Sequence, residues 1–339
     1  MIAGPEWLPR LEEFLRRHTT PDLRLVSARA LTGGASRDTW AIDAITPDGP
    51  LALVLRRDMG GAILPEALDR AGEFRVLSRA HEAGVLVPAP RWCCADPNVC
   101  GADFFLMDRL EGESVGRRIV REPGLSAARA ALPAQMGEQL AKIHALPYEG
   151  LDFLPRPSAT ESPALHALTR AQQRLDELGE PHPVLEFALR WLGRRAPPCT
   201  RLVLVHGDFR LGNLMVGPAG LVGVFDWEFA HVGDPHEDLA WPCVRSWRFG
   251  QDSLRLGGVG RPEEFFTAYE AHGGASVDRE VVMFWEMVGN LRWAIGCVAQ
   301  THRHLSGQVP SLELAVLGRR ACEMEWELLD LIERAEGRP

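Results

Sequence analysis

Residues 202–228 read LVLVHGDFRLGNLMVGPAGLVGVFDWE. Short apolar runs bracket a loop that carries Asp208 and then Asn213, and a second apolar run ends in Asp226. Residues 202–205 make a buried strand, and His206-Gly207 turns the chain so that Asp208 projects from its end. Residues 214–216 and 221–225 flank Gly217-Pro218-Ala219-Gly220, a hairpin signal that returns Asp226 to the same mouth. Carboxylates and an amide carbonyl are hard oxygen donors suited to Mg²⁺. Phosphoryl transfer from a magnesium-nucleotide asks a protein to position metal ions and a base rather than to do covalent work. On this reading Asp208 accepts the proton of an attacking hydroxyl. Asn213 and Asp226 bind metal, with Asp226 bridging ions on the β- and γ-phosphates. A lone HGD tripeptide would be an ordinary solvated turn; the Asp-x4-Asn pair, the hairpin and the terminal Asp set this one apart.

These residues resemble the catalytic loop of the aminoglycoside/choline phosphotransferase superfamily, relatives of the eukaryotic protein kinases. The expected order continues through Gly33-Gly34-Ala35-Ser36-Arg37-Asp38-Thr39-Trp40, Leu55-Arg56-Arg57, Glu73-Phe74-Arg75-Val76-Leu77, Phe105-Leu106-Met107-Asp108, Gly233-Asp234-Pro235 and Asp238-Leu239-Ala240. The GGASRDTW and LRR pieces look nearest to the phosphotransferase domain that some proteins carry fused to an acyl-CoA dehydrogenase, a match over residues 22–305.

The resemblance implies an α+β, bilobal protein-kinase-like fold. A small antiparallel-sheet, nucleotide-binding lobe spans residues 1–110, and a larger, mainly helical catalytic and substrate-binding lobe spans 111–339, with the hinge near 107–112. It implies ATP, with GTP as the alternative, and Mg²⁺ as cofactors. The implied acceptor is a hydroxyl on a small metabolite such as a hydroxyacyl-CoA or hydroxy acid. Aminoglycoside or macrolide kinases and sugar/choline-type kinases are rivals within the class. A catalytically inactive nucleotide-binding scaffold is the rival outside it.

The nucleotide side is read from the first lobe. Gly33, Gly34, Ala35 and Ser36 lie between two strand runs, where small residues let backbone N–H groups approach phosphate oxygens; alone, the pair of glycines would be an ordinary turn. The chain has one lysine, Lys142, among 37 Lys and Arg residues, and it lies in a helical pattern outside this lobe. No lysine is therefore available to anchor the α/β-phosphates from a strand. Alternation along residues 51–57 leaves Arg56 and Arg57 on opposite faces, and the family pattern makes Arg56 the inner one. Arginine brings a planar fork that grips phosphate and carboxylate together but does not lose its proton. Glu73 is the expected ion-pair partner of Arg56, against a surface pairing with Arg70 or Arg75; Glu66 is a second candidate. Met107, Asp108 and Leu110 are expected to offer hinge backbone groups to the base.

For loop support, His206 is read as packing beneath the catalytic loop and bonding to backbone. Asp238 is read as a first-turn helix carboxylate that ties the loop down rather than as a catalytic group. Glu228 is either a contact behind the metals or an exposed residue. On the acceptor side, residues 278–304 make a helix in which Trp285 and Arg292 recur at helical spacing. Arg292 is either the anchor for a substrate carboxylate or phosphate beside an aromatic wall, or a helix-surface ion pair. No acidic concentration appears in this segment, which favours an anionic or neutral acceptor over a polycation.

Composition bounds the rest. With 339 residues, 46% hydrophobic and 24% charged, the chain holds one large or two modest cores. A net charge of −9 and no basic run argue against nucleic acid. Seven cysteines without a C-x-x-C pair argue against a zinc or disulfide framework. No apolar run is read as a membrane span and no leader-like N-terminus is seen, so the expectation is a cytoplasmic protein without a membrane partner. Helices are expected over residues 6–17, 65–83, 234–244, 262–272, 278–304 and 311–335, and strands over 23–31, 39–45, 51–57, 91–95 and 103–110.

Overall fold

The structure, a computed structural model, describes residues 5–31, 38–58 and 67–337. Gly33, Gly34, Ala35, Ser36 and Glu66 lie outside the described residues.

The alternating segments of the N-terminal part form β1 (Arg24–Ala30), β2 (Asp38–Thr46), β3 (Gly49–Arg57), β4 (Pro90–Cys94) and β5 (Phe104–Asp108), with α1 (Leu8–His18), α2 (Arg70–Glu82) and the short α3 (Pro97–Cys100) around them. The strands make one antiparallel sheet in the order β1-β2-β3-β5-β4. Successive strand side chains point to opposite faces, and here that alternation divides two cores. Leu53, Leu55, Phe104 and Leu106 pack with Leu8, Leu11 and Leu15 of α1. Val54, Phe105 and Met107 join Val76, Leu77 and Ala80 of α2 in the main core. Arg57 follows the first face, pairing with Asp38 at 2.5 Å and lying 5.0 Å from the Trp7 ring. Arg56 follows the second, so the same parity that buries the leucines turns Arg56 inward.

Helix α2 begins at Arg70, later than the periodicity predicts, because Asp69 caps it by accepting the Gly72 amide at 2.7 Å. That bond fixes where the backbone enters the helix.

The C-terminal part is built from α4 (Gly116–Arg121), α5 (Ser126–His144), α6 (Pro163–Leu178), α7 (Pro183–Gly193), β6 (Val203–Val205), β7 (Leu214–Gly217), β8 (Gly220–Val224), β9 (His231–Gly233), α8 (Pro235–Ala240), α9 (Pro262–Ala271), α10 (Arg279–Leu305) and α11 (Leu312–Ala335). β6 pairs with β9 and β7 with β8. The result is the mixed α+β, protein-kinase-like architecture the motifs imply: an antiparallel sheet first, then a larger helical part.

Helices α5 and α9 cross at Gly137, where a β-carbon would fall 2.4 Å from the Phe265 carbonyl oxygen. α10 is long and apolar enough by length and composition to cross a membrane, which departs from the sequence reading, but 72% of its apolar window is buried inside the protein. It is a core helix here.

The two parts meet through hydrogen bonds donated by backbone amides. The Val224 amide donates to the Leu86 carbonyl at 2.8 Å, and the Leu86 amide to Gln139 Oε1 of α5 at 2.8 Å. Glu113 and Val216 exchange amide bonds at 2.9 Å. The β7–β8 hairpin is thereby fixed against the segment leaving β5.

Candidate active site

The site starts where β6 ends. Gly207 adopts φ +81°, and a β-carbon there would stand 2.3 Å from the Phe229 carbonyl oxygen. Only glycine combines that conformation with that close approach. The turn it makes points Asp208 away from the strand.

Asp208 is 8% exposed and held by three donors. Oδ1 accepts from Trp241 Nε1 at 2.6 Å and from Arg210 Nε at 2.9 Å. Oδ2 accepts from Asn213 Nδ2 at 2.5 Å, and that nitrogen also reaches the Asp208 carbonyl at 3.0 Å. Because Asn213 directs its N–H groups to Asp208, its amide oxygen is the end turned to no protein donor among the described residues. The Asn213 carbonyl accepts the Phe225 amide at 3.1 Å, which brings Asp226 beside the loop. Asp226 sits at φ +71°, a left-handed conformation that aspartate tolerates better than most residues. It is placed where the hairpin hands over to a short 3₁₀ turn.

Arg56 reaches across from β3. Its Nη2 lies 2.7 Å from Asp226 Oδ1 and its Nη1 3.0 Å from Glu73 Oε1. Burial opposes its charge, but Glu73 and Asp226 outweigh that and raise its pKa above the ordinary guanidinium value. Glu73 is 1% exposed and also pairs with Arg70, which itself contacts Asp58 at 3.1 Å. The two readings of Glu73 therefore coexist: one buried carboxylate between two guanidiniums. Glu228 is buried at 7% exposure, and its charge bears on Arg56.

Beneath the loop, Asp238 is fully buried and accepts the His206 amide at 2.6 Å and the Gly207 amide at 2.9 Å. His144 Nε2 lies 3.2 Å from the same carboxylate, and its Nδ1 2.8 Å from the Tyr269 hydroxyl. The His206 ring accepts the Asp208 amide through Nδ1 at 3.2 Å. Burial pushes its pKa below the usual imidazole value, although Asp238, Asp208 and Asp226 all pull the other way.

Trp285 corrects the expectation of an aromatic acceptor wall. At 2% exposure it is a core residue packed edge-on against Phe284. Residues one turn apart on a helix share a face, and here the face holding Trp285 is the buried one. An aromatic cluster does lie beside Asp208, made of Trp241 and Trp247, both buried, and the partly buried Trp293; ring centres are 5.5 Å apart for Trp241–Trp247 and 4.7 Å for Trp247–Trp293. Arg210 lies 4.3 Å over Trp247 and Arg292 lies 5.4 Å over Trp241. Arg292 Nη1 pairs with Glu237 Oε1 at 2.5 Å, and His231 Nε2 lies 3.0 Å from Glu237 Oε2. Burial acts to raise the Glu237 pKa, but His231 and Arg292 overcome it and bring it down to about 2.

At the hinge the side chain of Asp108 turns away, gripped by Arg91 at 2.6 and 2.7 Å, and its amide donates to the Ala89 carbonyl at 2.9 Å. The Asp108 amide is therefore not open to a nucleotide, which removes one of the hinge backbone groups the sequence reading expected. Met107 is a buried strand residue facing Val54. Leu110 packs over Gly223, where a β-carbon would come 2.2 Å from its Cδ1.

The sequence reading missed Trp241, Arg210, Glu237 and His144. Arg210, inside the same loop, carries a local signal: a β-carbon on Gly212 would strike its Nη1 at 2.0 Å, so Gly212 makes room for the guanidinium. Trp241 has no such signal, because it reaches Asp208 from the end of α8.

No group of three or more His, Cys, Asp or Glu side chains able to hold a metal ion by themselves occurs among the described residues. Asn213 and Asp226 instead supply one amide oxygen and one carboxylate, which suits Mg²⁺, an ion that keeps waters and completes its shell with substrate phosphates. The donor set fits that ion.

The fold is protein-kinase-like, and the site sets one buried carboxylate beside an amide and a second carboxylate, oxygen groups of the kind phosphoryl transfer uses. The model of the phosphotransferase enzyme family matches residues 27–285, and the chain belongs to that family. It is 31% identical over 285 residues to acyl-CoA dehydrogenase family member 10 of Mus musculus, covering 76% of this chain and 24% of that protein. It is 30% identical over 281 residues to family member 11 of Pongo abelii, covering 76% and 34%. The chain thus spans a quarter to a third of the length of these relatives. Among solved structures, a putative aminoglycoside phosphotransferase from Ralstonia eutropha superposes with a TM-score of 0.73 at 23% identity over 94% of this chain and 97% of that one. A spectinomycin phosphotransferase in complex with ADP and spectinomycin gives 0.61 at 14% identity over 94% and 97%. At these identities the likeness speaks for the fold.

Proposed function

We propose that this protein transfers the γ-phosphoryl group of ATP, or of GTP, to a hydroxyl of an anionic small metabolite of the hydroxy acid or hydroxyacyl-CoA type. The observation that carries the reading is the convergence of Asp208, Asn213 and Asp226 on one mouth, facing Arg56 from the sheet. In the reaction the acceptor oxygen bonds to the γ-phosphorus as the bond from that phosphorus to the β–γ bridging oxygen breaks. The electron pair leaves with ADP, and the hydroxyl proton passes to Asp208. Asn213 and Asp226 would hold Mg²⁺, which supplies charge neutralisation on the phosphates. Arg56, braced by Glu73, orients the nucleotide below a hinge near residues 107–112, where Leu110 rather than the Asp108 amide is the reading for the adenine contact. Gly33 to Ser36 are proposed to cover the phosphates.

Two observations support an anionic acceptor. Arg292 is a third exposed and lies over the buried Trp241 ring that bonds Asp208, and the neighbouring Glu237 carboxylate is committed to Arg292 and His231. A polycationic antibiotic would meet a guanidinium there. The relatives named acyl-CoA dehydrogenase family members add weight to acyl-CoA chemistry.

The test is ADP release with Mg-ATP against a panel of hydroxylated acyl-CoAs, hydroxy acids, aminoglycosides and amino alcohols, in the parent and in Asp208→Asn. A substrate-dependent rate that falls by about 10²–10⁴-fold in the variant is expected. Nucleotide binding without ADP release under any acceptor would favour an inactive scaffold and overturn the reading.

A further inference from the structure

We infer that the two oxygens of Asp208 have different tasks: Trp241 and Arg210 occupy Oδ1, and Oδ2 is the atom that takes the acceptor proton. The inference rests on the phosphotransfer reading and deepens it to the level of single atoms.

An ionised carboxylate offers about four lone-pair directions, two on each oxygen. Oδ1 receives the Trp241 indole N–H at 2.6 Å and the Arg210 Nε–H at 2.9 Å, which fills both of its directions. Among the described residues Oδ2 receives Asn213 Nδ2 alone, leaving one direction on the oxygen. An incoming hydroxyl can therefore donate well only to Oδ2. The side chains that enforce this are themselves fixed from behind. Trp241 is 8% exposed, packs on Trp247 and carries the Arg292 guanidinium over its ring. Arg210 lies over Trp247 and is admitted by the missing β-carbon of Gly212. A cation above an indole face is attracted to it and holds the ring in place. Arg292 is in turn held by Glu237, which leads back to β9 through His231. The carboxylate can neither rotate nor exchange its two oxygens without breaking a buried bond.

Trp241 and Arg210 are thus positioning residues. They fix the base but accept no proton themselves. Losing a hydrogen bond to a charged group should then act on turnover and leave nucleotide binding alone.

The test uses the full chain with Mg-ATP hydrolysis, water serving as the acceptor, and binding of a fluorescent ATP analogue. Trp241→Phe keeps the aromatic packing and removes the N–H; Arg210→Gln is the second variant. Each is expected to lower the rate of ADP release about 10- to 100-fold while the analogue's Kd stays within about twofold. In ¹⁵N spectra of the indole N–H groups, the Trp241 signal, assigned by its loss in Trp241→Phe, is expected to move more than those of the other tryptophans in Asp208→Asn. Parent-like turnover in both variants beside a depressed Asp208→Asn overturns the inference and leaves the phosphotransfer reading standing. An unmoved Trp241 signal overturns the inference as well. A parent that binds the analogue and releases no ADP with water or with any acceptor of the panel overturns both.

Discussion

Arg56 Nη2 lies 2.7 Å from Asp226 Oδ1 although 170 residues separate the two in sequence. One belongs to the sheet and the other to the end of the catalytic hairpin, so this contact joins the two parts of the molecule at the place where the phosphates are proposed to lie. It also shows why arginine suits the position. A planar fork can hold Glu73 with one nitrogen and Asp226 with the other, which a single ammonium does less well.

Glu73 is the buried pivot of that arrangement. Replacing it by alanine leaves Arg56 and Arg70, 7% and 0% exposed, without their shared carboxylate. Removing one member of a buried ion cluster costs about 3–5 kcal/mol. The denaturation midpoint of Glu73→Ala should fall accordingly; an unchanged midpoint would show that α2 is held by packing alone.

Asp226 combines a charge with left-handed backbone. Asp226→Asn keeps a residue tolerant of that conformation and removes the charge, so it should fold normally and lose about 10²–10³-fold in turnover. Asp226→Ala should be less stable than Asp226→Asn by about 1–2 kcal/mol, because its β-carbon gains no local hydrogen bond in exchange for the strain. Comparing the two midpoints separates the backbone role from the chemical one.

Asp238 satisfies two buried amides and faces His144. In Asp238→Ala the amides of His206 and Gly207 lose their acceptor, at about 1–3 kcal/mol each. Amide hydrogen exchange at these two residues should accelerate more than at the β6 amides. Equal protection in parent and variant would mean the loop does not depend on this tie.

The His231–Glu237 pair predicts a pH window. His231 is buried, which alone would lower its pKa, but Glu237 raises it above the ordinary 6.5; its contribution is full below 6.5 and is lost as pH climbs through the raised value. Glu237 is brought from 4.5 to about 2, so its contribution is full above 4.5 and is lost as pH falls toward about 2. The difference in Tm between the parent and His231→Gln should be largest between these limits and shrink on either side. A difference that does not vary with pH would remove the pair as an electrostatic contributor.

Much of this molecule was legible from local pattern. Alternation along residues 51–57 put Arg56 and Arg57 on opposite faces, and the family resemblance, not the period, made Arg56 the inner one. The Asp-x4-Asn spacing and the Gly217–Gly220 turn placed Asp208, Asn213 and Asp226 on one loop and one hairpin. Such features depend on neighbours a few residues away, and helical and strand periods carry that information directly. Trp285 marks the limit: periodicity put it and Arg292 on recurring positions of α10 but could not say which way the helix faces, and packing against the core buried the indole.

The sequence by itself determined the strand-rich first part and mainly helical second part, the loop and hairpin of residues 202–228, and the polar residues from which the site is made. Only the tertiary structure decided that Trp241 holds Asp208, that Glu73 serves two arginines, that Asp108 turns to Arg91, and that Arg292 lies over Trp241 and pairs with Glu237. Each of these contacts joins segments with no shared period. Their pairing is set by how the hairpin, α8 and α10 pack together, and burial then makes it specific, since a charge or N–H removed from water must find the partner that packing brings within reach.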